Sequence, residues 1–145
     1  MSKIFEKVNP SHPDKVADRI AGAMVDIAYN HQTNPKIAVE ILIGHGLVTI
    51  IAETSYKFKN EEIQKLVKRI CHESLKIKFL QVPQDPELAK NQAKEIRCGD
   101  NGIFKGSPVK KEQYYLTKLV KKLYEENPND GKYIINDWTQ KWKGS

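Results

Sequence analysis

Cysteine is scarce in this chain: Cys71 and Cys98 are its only two in 145 residues. Two thiols so far apart support neither a disulfide framework nor a zinc site, so both are expected to be reduced. Long apolar runs are missing as well, and none approaches the ~20 residues that a membrane span needs. The opening MSKIFEKVNP lacks the hydrophobic core of a signal peptide, so the expected location is cytoplasmic, with no membrane partner. There is also no basic block. The net charge of +6 comes from 24 Lys and Arg against 18 Asp and Glu, interleaved along the chain. A diffuse surplus of this kind marks a solvated surface or attraction for a small polyanion. No nucleic-acid recognition motif of a known kind occurs, which leaves a basic nucleic-acid-binding module as the outside alternative.

What is present fits a globular protein, with 39% hydrophobic and 29% charged residues in a length that suits one domain or one plus part of another. KIFEKV, residues 3 to 8, alternates as a short strand. Val16, Ile20, Ala23, Met24, Ile27 and Ala28 recur at helical spacing between Lys15 and Asn30. Pro13 suits that helix's entry, and Asp14 sits where a cap or first-turn acid belongs. KIAVEILIGHGLVTIIAET reads as a β-hairpin whose runs Ile37 to Ile43 and Leu47 to Ala52 flank Gly44-His45-Gly46, where the glycines can take positive φ. Period two sets Glu40 mid-strand on the less apolar face, with Ala38 and Leu42.

A second amphipathic helix is predicted from Asn60 to Leu75, with Asn60 as its cap, followed by a strand at IKFLQV. Residues 84 to 98 lack a clear period and read as an exposed loop. A third helix, Glu112 to Glu126, has Leu116, Leu119, Val120 and Leu123 on one face and Lys118, Lys121 and Lys122 largely on the other. KYIIN begins a last strand. This order predicts an α+β fold of two layers, a mainly antiparallel sheet covered on one face by helices.

Several local signals could carry chemistry. In SHPDK, His12 could donate a hydrogen bond to an anionic leaving group, Asp14 could bind Mg²⁺ and Lys15 a phosphate. The helix entry there would add N–H groups and the positive end of a dipole. The competing reading has Asp14 as a helix cap and His12 and Lys15 solvated. Asp100 in GDNG and Lys132 in NDGK sit in turns that structure alone can explain. Glu40 and Glu53 are more pointed, since a carboxylate half-buried in a sheet needs a cation or an ammonium ligand. His31, His45 and His72 read as solvent-facing, and Trp138 and Trp142 as packing residues.

Taken in order, these signals resemble the S-adenosylmethionine synthetase (methionine adenosyltransferase) family. NPSHPDKVADRI after a strand is similar to that family's S-E-G-H-P-D-K-[IV]-A-D, with His12, Pro13, Asp14, Lys15, Ala17 and Asp18 matching. Glu40, Gly46, Leu47, Val48 and Glu53 fall in register with its next strands. IRCGDNGIFKGSPV, with Gly99, Asp100, Gly102, Phe104 and Gly106, resembles its G-A-G-D-Q-G segment. NPNDGKYII, with Asp130 and Lys132, resembles its R-P-D-[AGS]-K segment.

The resemblance implies a β-α-β-β-α-β fold and adenosyl transfer, in which methionine sulfur attacks C5′ of ATP and expels the triphosphate. By matching position it implies catalytic roles for His12 and Lys132. ATP and phosphate binding would fall to His12, Lys15, Asp130 and Lys132, and methionine binding to Glu53, Asp100 and Gln84. It further implies Mg²⁺ on Asp14 and K⁺ at Glu40. ATP and L-methionine are the ligands it implies, and a homodimer or a hetero-complex with a synthetase chain the assembly.

It also implies a domain over 1–110 and, over 111–145, a helix and strand like the start of a second domain packed on the first. Pro10 and Ser11 replace the motif's Glu and Gly, Asn101 its Gln, and the 84–99 loop is short. Later phosphate-binding and Mg²⁺-binding segments are missing, so turnover is expected only with a complementing chain. The alternative is a non-catalytic regulatory or nucleotide-binding subunit, a truncated homologue of the full enzyme.

Overall fold

A computed structural model describes residues 4–71, 74–87, 90 and 110–136. The elements are β1 (Ile4–Val8), α1 (Pro13–His31), β2 (Ile37–Gly44), β3 (Leu47–Thr54), α2 (Asn60–Cys71), β4 (Lys76–Val82), α3 (Lys111–Glu126) and β5 (Lys132–Asn136). They belong to two compact units, residues 16–103 and residues 1–15 with 104–145. Among the described residues no helix is long and apolar enough to cross a membrane. Cys98, Asp100, His72, Trp138, Trp142 and most of the 84–98 loop lie outside the described residues.

In the 16–103 unit, β2, β3 and β4 form one sheet in that order. The apolar faces read from the sequence meet in its core. Ile20, Met24 and Ala28 of α1 and Ile63, Leu66 and Val67 of α2 pack on Val48, Ile50 and Ala52 of β3. Ile37, Val39, Ile41 and Ile43 of β2 and Ile77 and Phe79 of β4 complete the same cluster. Burying each large aliphatic contributes about 1.5–3 kcal/mol, so this face drives the unit's folding. The two-layer α+β architecture is therefore as expected. Among the described residues two of the three strand pairings are antiparallel, and β3–β4 is parallel. That pairing requires a crossover, and α2 provides it.

The hairpin turn is tighter than the sequence implied. Gly44 still pairs with Leu47, which leaves a two-residue turn of His45 and Gly46 with φ of 50° and 73°. Two left-handed residues match the twist of the flanking strands, and histidine tolerates that region better than most side chains. The opposite sheet face carries Leu42, Ile51 and Leu80 at 74%, 42% and 56% exposure.

Entry into α2 is closed by Glu62, not by Asn60. Asn60 is the first helical residue, and the Glu62 carboxylate accepts the Lys59 amide at 2.8 Å while the Lys59 carbonyl accepts the Glu62 amide. This is the reach-back half of a capping box. The Tyr56 hydroxyl also donates to Glu62 at 3.0 Å, and the Tyr56 ring stacks on His31 at 4.9 Å. The Lys59 amide holds the Glu62 carboxyl below the usual range, helped by the Tyr56 hydroxyl and the charges of His31 and Lys59, against the opposing effect of burial. Burial, then the bond to Glu62, pushes the Tyr56 phenol up.

In the other unit, β1 and β5 pair antiparallel from Ile4↔Asn136 to Val8↔Lys132. α3 packs on both strands and buries Leu116 and Val120. Its lysines 118, 121 and 122 face solvent, as their place opposite the apolar face predicted.

Candidate functional site

The β1–β5 register sets the end of β1 against the start of β5, so the loop from Asn9 to His12 meets the turn from Asn127 to Gly131. Asn9 is the hub and is fully buried. Its amide donates to the Gly131 carbonyl at 3.0 Å and its Nδ2 to the Asn129 carbonyl at 2.6 Å. Its Oδ1 accepts the Ser11 amide at 3.1 Å, and its carbonyl accepts the His12 amide at 3.1 Å. Each of these polar groups would cost free energy if it were buried without a partner. Gly131 has no room for a side chain. A Cβ there would lie 2.9 Å from Asn9 Nδ2 and 2.9 Å from the Tyr133 hydroxyl.

His12, not Asp14, is the cap of α1. Its Nδ1 accepts the Asp14 amide at 3.2 Å, and its carbonyl accepts the Lys15 amide at 2.9 Å. Pro13 takes the first helical position, where a missing N–H costs nothing. An Nδ1 that accepts a hydrogen bond has no proton of its own, so in the neutral ring the proton is on Nε2. The amides of Ser11, His12, Asp14 and Lys15 are all donated inside the loop, so the helix entry lacks the open N–H array expected from the sequence. Chemistry at this entry falls to side chains instead. His12 is 19% exposed and Asp14 is 79% exposed, with Asp14 Oδ2 3.7 Å from His12 Nδ1.

Lys132 sits opposite Val8, and its ammonium pairs with the Glu6 carboxylate at 3.2 Å. Asp130 lies in the exposed turn just before it. His12, Asp14, Lys15, Asp130 and Lys132 thus all belong to one unit and flank one hydrogen-bonded junction. Sequence reading missed the residues that make this junction: Asn9, Ser11, Tyr124 and Gly131. Asn9 had a faint signal, a polar residue closing a strand before Pro. Tyr124 had none.

The residues assigned to methionine and K⁺ belong to the other unit. Glu53 on β3 is half-buried, and its Oε1 accepts the Asp85 amide at 2.7 Å, so the backbone provides its partner. Gln84 lies two residues past β4, whose Val82 pairs with Glu53, and its Nε2 is buried without a hydrogen-bond partner among the described residues. Asp100 lies outside the described residues. Glu40 is exposed rather than half-buried, because α1 and α2 cover the other sheet face.

The fit to metals differs between the two positions. Among the described residues no group of three or more His, Cys, Asp and Glu could hold an ion. Mg²⁺ needs only one or two carboxylates when phosphate oxygens and water fill the remaining positions, and exposed Asp14 fits that role. The row that starts at Glu40 continues through Ile51 and Leu80, whose side chains carry no oxygen.

Comparison with known proteins identifies the lineage. The family described as S-adenosylmethionine synthetase, N-terminal domain, matches residues 3–83. S-adenosylmethionine synthase of Borreliella afzelii is 38% identical over 66 residues, 45% of this chain and 17% of that protein. The synthase of Mycoplasma genitalium is 27% identical over 113 residues, 73% of this chain and 30% of that protein. The chain therefore spans less than a third of these relatives' length. An unusual S-adenosylmethionine synthetase from Campylobacter jejuni superimposes with a TM-score of 0.50 at 23% identity over 59% of this chain and 28% of the other, a likeness of fold. With more than half of its residues matched, this chain belongs to the S-adenosylmethionine synthetase family through that family's N-terminal domain.

Proposed function

We propose that this chain forms the polyphosphate-facing half of an adenosyl-transfer site and binds ATP together with Mg²⁺. One observation carries this reading. Asn9, two residues before SHPDK, donates to Asn129 of the NDGK turn 120 positions away and so joins the two segments in one junction. In the proposed complex, His12 donates its Nε2 proton to the triphosphate, Lys15 and Lys132 offset its charge, and Asp130 contacts the nucleoside. Mg²⁺ held by Asp14 would neutralise the same phosphates.

The reaction to which this half-site would contribute forms a bond from methionine sulfur to C5′ and breaks the C5′–O bond, the triphosphate leaving with the electron pair. Fixed donors stabilise the charge that builds on that leaving group. Methionine would be held by Glu53, Gln84 and Asp100, its ammonium on the Glu53 carboxylate. Turnover needs the family segments beyond the matched stretch, in a longer polypeptide or another chain. Residues 111–145 are read as the start of a second domain after one over 1–110; the pairing of β5 with β1 lies within the unit of residues 1–15 and 104–145. The exposed Leu42, Ile51 and Leu80 face is where a homodimer or a synthetase chain would dock, and the cytoplasm is the proposed location.

Isothermal titration with ATP and Mg²⁺ tests the proposal. Wild type should give binding heat, and Asp14→Ala and Lys132→Ala should weaken it. No heat, or equal heat in both variants, sinks the nucleotide reading. Binding without S-adenosylmethionine formation by any mixture with synthetase chains would favour a regulatory subunit. A steep salt-dependent shift with random DNA or RNA would favour the nucleic-acid module.

A further inference from the structure

Ser11 stands where the family motif has glycine, and its hydroxyl has two partners. It donates to the Pro128 carbonyl at 2.7 Å and lies 3.2 Å from the Tyr124 hydroxyl. A serine hydroxyl has one proton and two lone pairs. With that proton directed to Pro128, the 3.2 Å contact is Tyr124 donating to Ser11, which gives a chain Tyr124 O–H → Ser11 O–H → Pro128 carbonyl. Tyr124 lies in the last turn of α3, and Pro128 in the turn that follows. Glycine at position 11 could take neither place in this chain.

We propose that Ser11 and Tyr124 are positioning residues, a hydroxyl latch that fixes the His12 ring relative to the Lys132 ammonium. Asn9 ties the loop to Asn129 and Gly131 and holds the Ser11 and His12 amides, but none of these bonds reaches Pro128 or α3. The latch adds a second tie at Pro128, immediately before His12 in the loop. Two ties set the direction in which the ring presents its Nε2 proton, and so the span across which a polyphosphate must bind. In its functional part this inference rests on the proposed roles of His12 and Lys132. The departure from the motif at position 11 thereby becomes a local replacement for rigidity.

The test uses the full chain with Ser11→Ala, Tyr124→Phe and Ser11→Thr, titrated with ATP·Mg²⁺ and with inorganic tripolyphosphate·Mg²⁺ well below the melting temperature. Loss of one hydrogen bond should weaken both ligands about fivefold in Ser11→Ala and in Tyr124→Phe. Ser11→Thr, which keeps the hydroxyl, should bind as wild type. On a Lys132→Ala background, Ser11→Ala should have little further effect, because the residue it aligns with is gone. Unchanged affinity in Ser11→Ala, or full additivity on Lys132→Ala, overturns the positioning role. Amide hydrogen exchange without ligand separates this from failure of the nucleotide reading. Tyr124→Phe should speed exchange at the Ser11 and His12 amides, and unchanged exchange overturns the latch whatever the ligands do. Absence of ligand heat with faster exchange removes the nucleotide reading and leaves the latch standing.

Discussion

The entrances of α1 and α2 solve one problem in opposite ways. Both helices begin with unpaired amides that need acceptors. At α2 the answer is local: Glu62 reaches back three residues to Lys59, and Tyr56 and His31 pack beside it. At α1 the cap is an imidazole, and the loop that carries it is held by a turn from the far end of the chain. A carboxylate cap close at hand is cheap and sufficient. An imidazole cap on a loop held by long-range bonds is more than a helix start requires.

Breaking each entrance separates the two roles. Asn9→Ala should have the largest effect. It leaves the Asn129 carbonyl and the Ser11 amide without partners and should cost about 2–4 kcal/mol in denaturant unfolding. It should also weaken ATP·Mg²⁺ binding in the protein that remains folded. Glu62→Ala should cost about 1 kcal/mol and leave that binding unchanged, as a purely structural cap would.

The same carboxylate gives a pH signature. Its folded pKa lies below the ordinary 4.5, so its contribution is fully present above the unfolded value and is lost as pH falls through the folded one. Glu62→Gln, which preserves the shape, should flatten the stability loss of acid unfolding curves in that window.

Smaller effects sharpen the contrast. His12→Asn keeps a good cap and should stay within about 0.5 kcal/mol of wild type, whereas His12→Ala should lose about 1 kcal/mol. Both should weaken ATP·Mg²⁺ binding, because neither offers the Nε2 proton. Smallest is Glu6→Gln, which frees the Lys132 ammonium from an exposed pair. Exposed pairs contribute about 0.2–1 kcal/mol, so titration should show affinity for tripolyphosphate rising by no more than about fivefold, and less in high salt.

The sequence disclosed those parts of the molecule that repeat within a few residues. The α1 stripe of Ile20, Met24 and Ala28, the alternation of β2 and β3, and the α3 face of Leu116 and Val120 were readable because periodicity is local. The parallel β3–β4 pairing was not, since the same string allows β4 at either sheet edge. Asn60 reads as a cap because its type favours that position, but the local reach-back of Glu62 closes that entry. Asp14 is the first-turn acid that the sequence also allowed, with His12 as the cap. Motif order singled out His12, Asp14 and Lys132 as candidates. It marked Ser11 only as a departure and gave no sign of Tyr124, whose contact with Ser11 joins positions 113 apart.

The pairing of β1 with β5 also fixes when the site can exist. Closing a segment of this length costs chain entropy before any contact returns it, whereas the β2–β3 hairpin and the helices involve short loops. The sheet of β2, β3 and β4 can therefore form early, while the junction around Asn9 waits for residues 127–136. During synthesis, His12 leaves the ribosome long before its counterpart Lys132 has been made. The α2 cap is complete as soon as Glu62 emerges, but the junction around Asn9 must wait for Asn129 and Gly131.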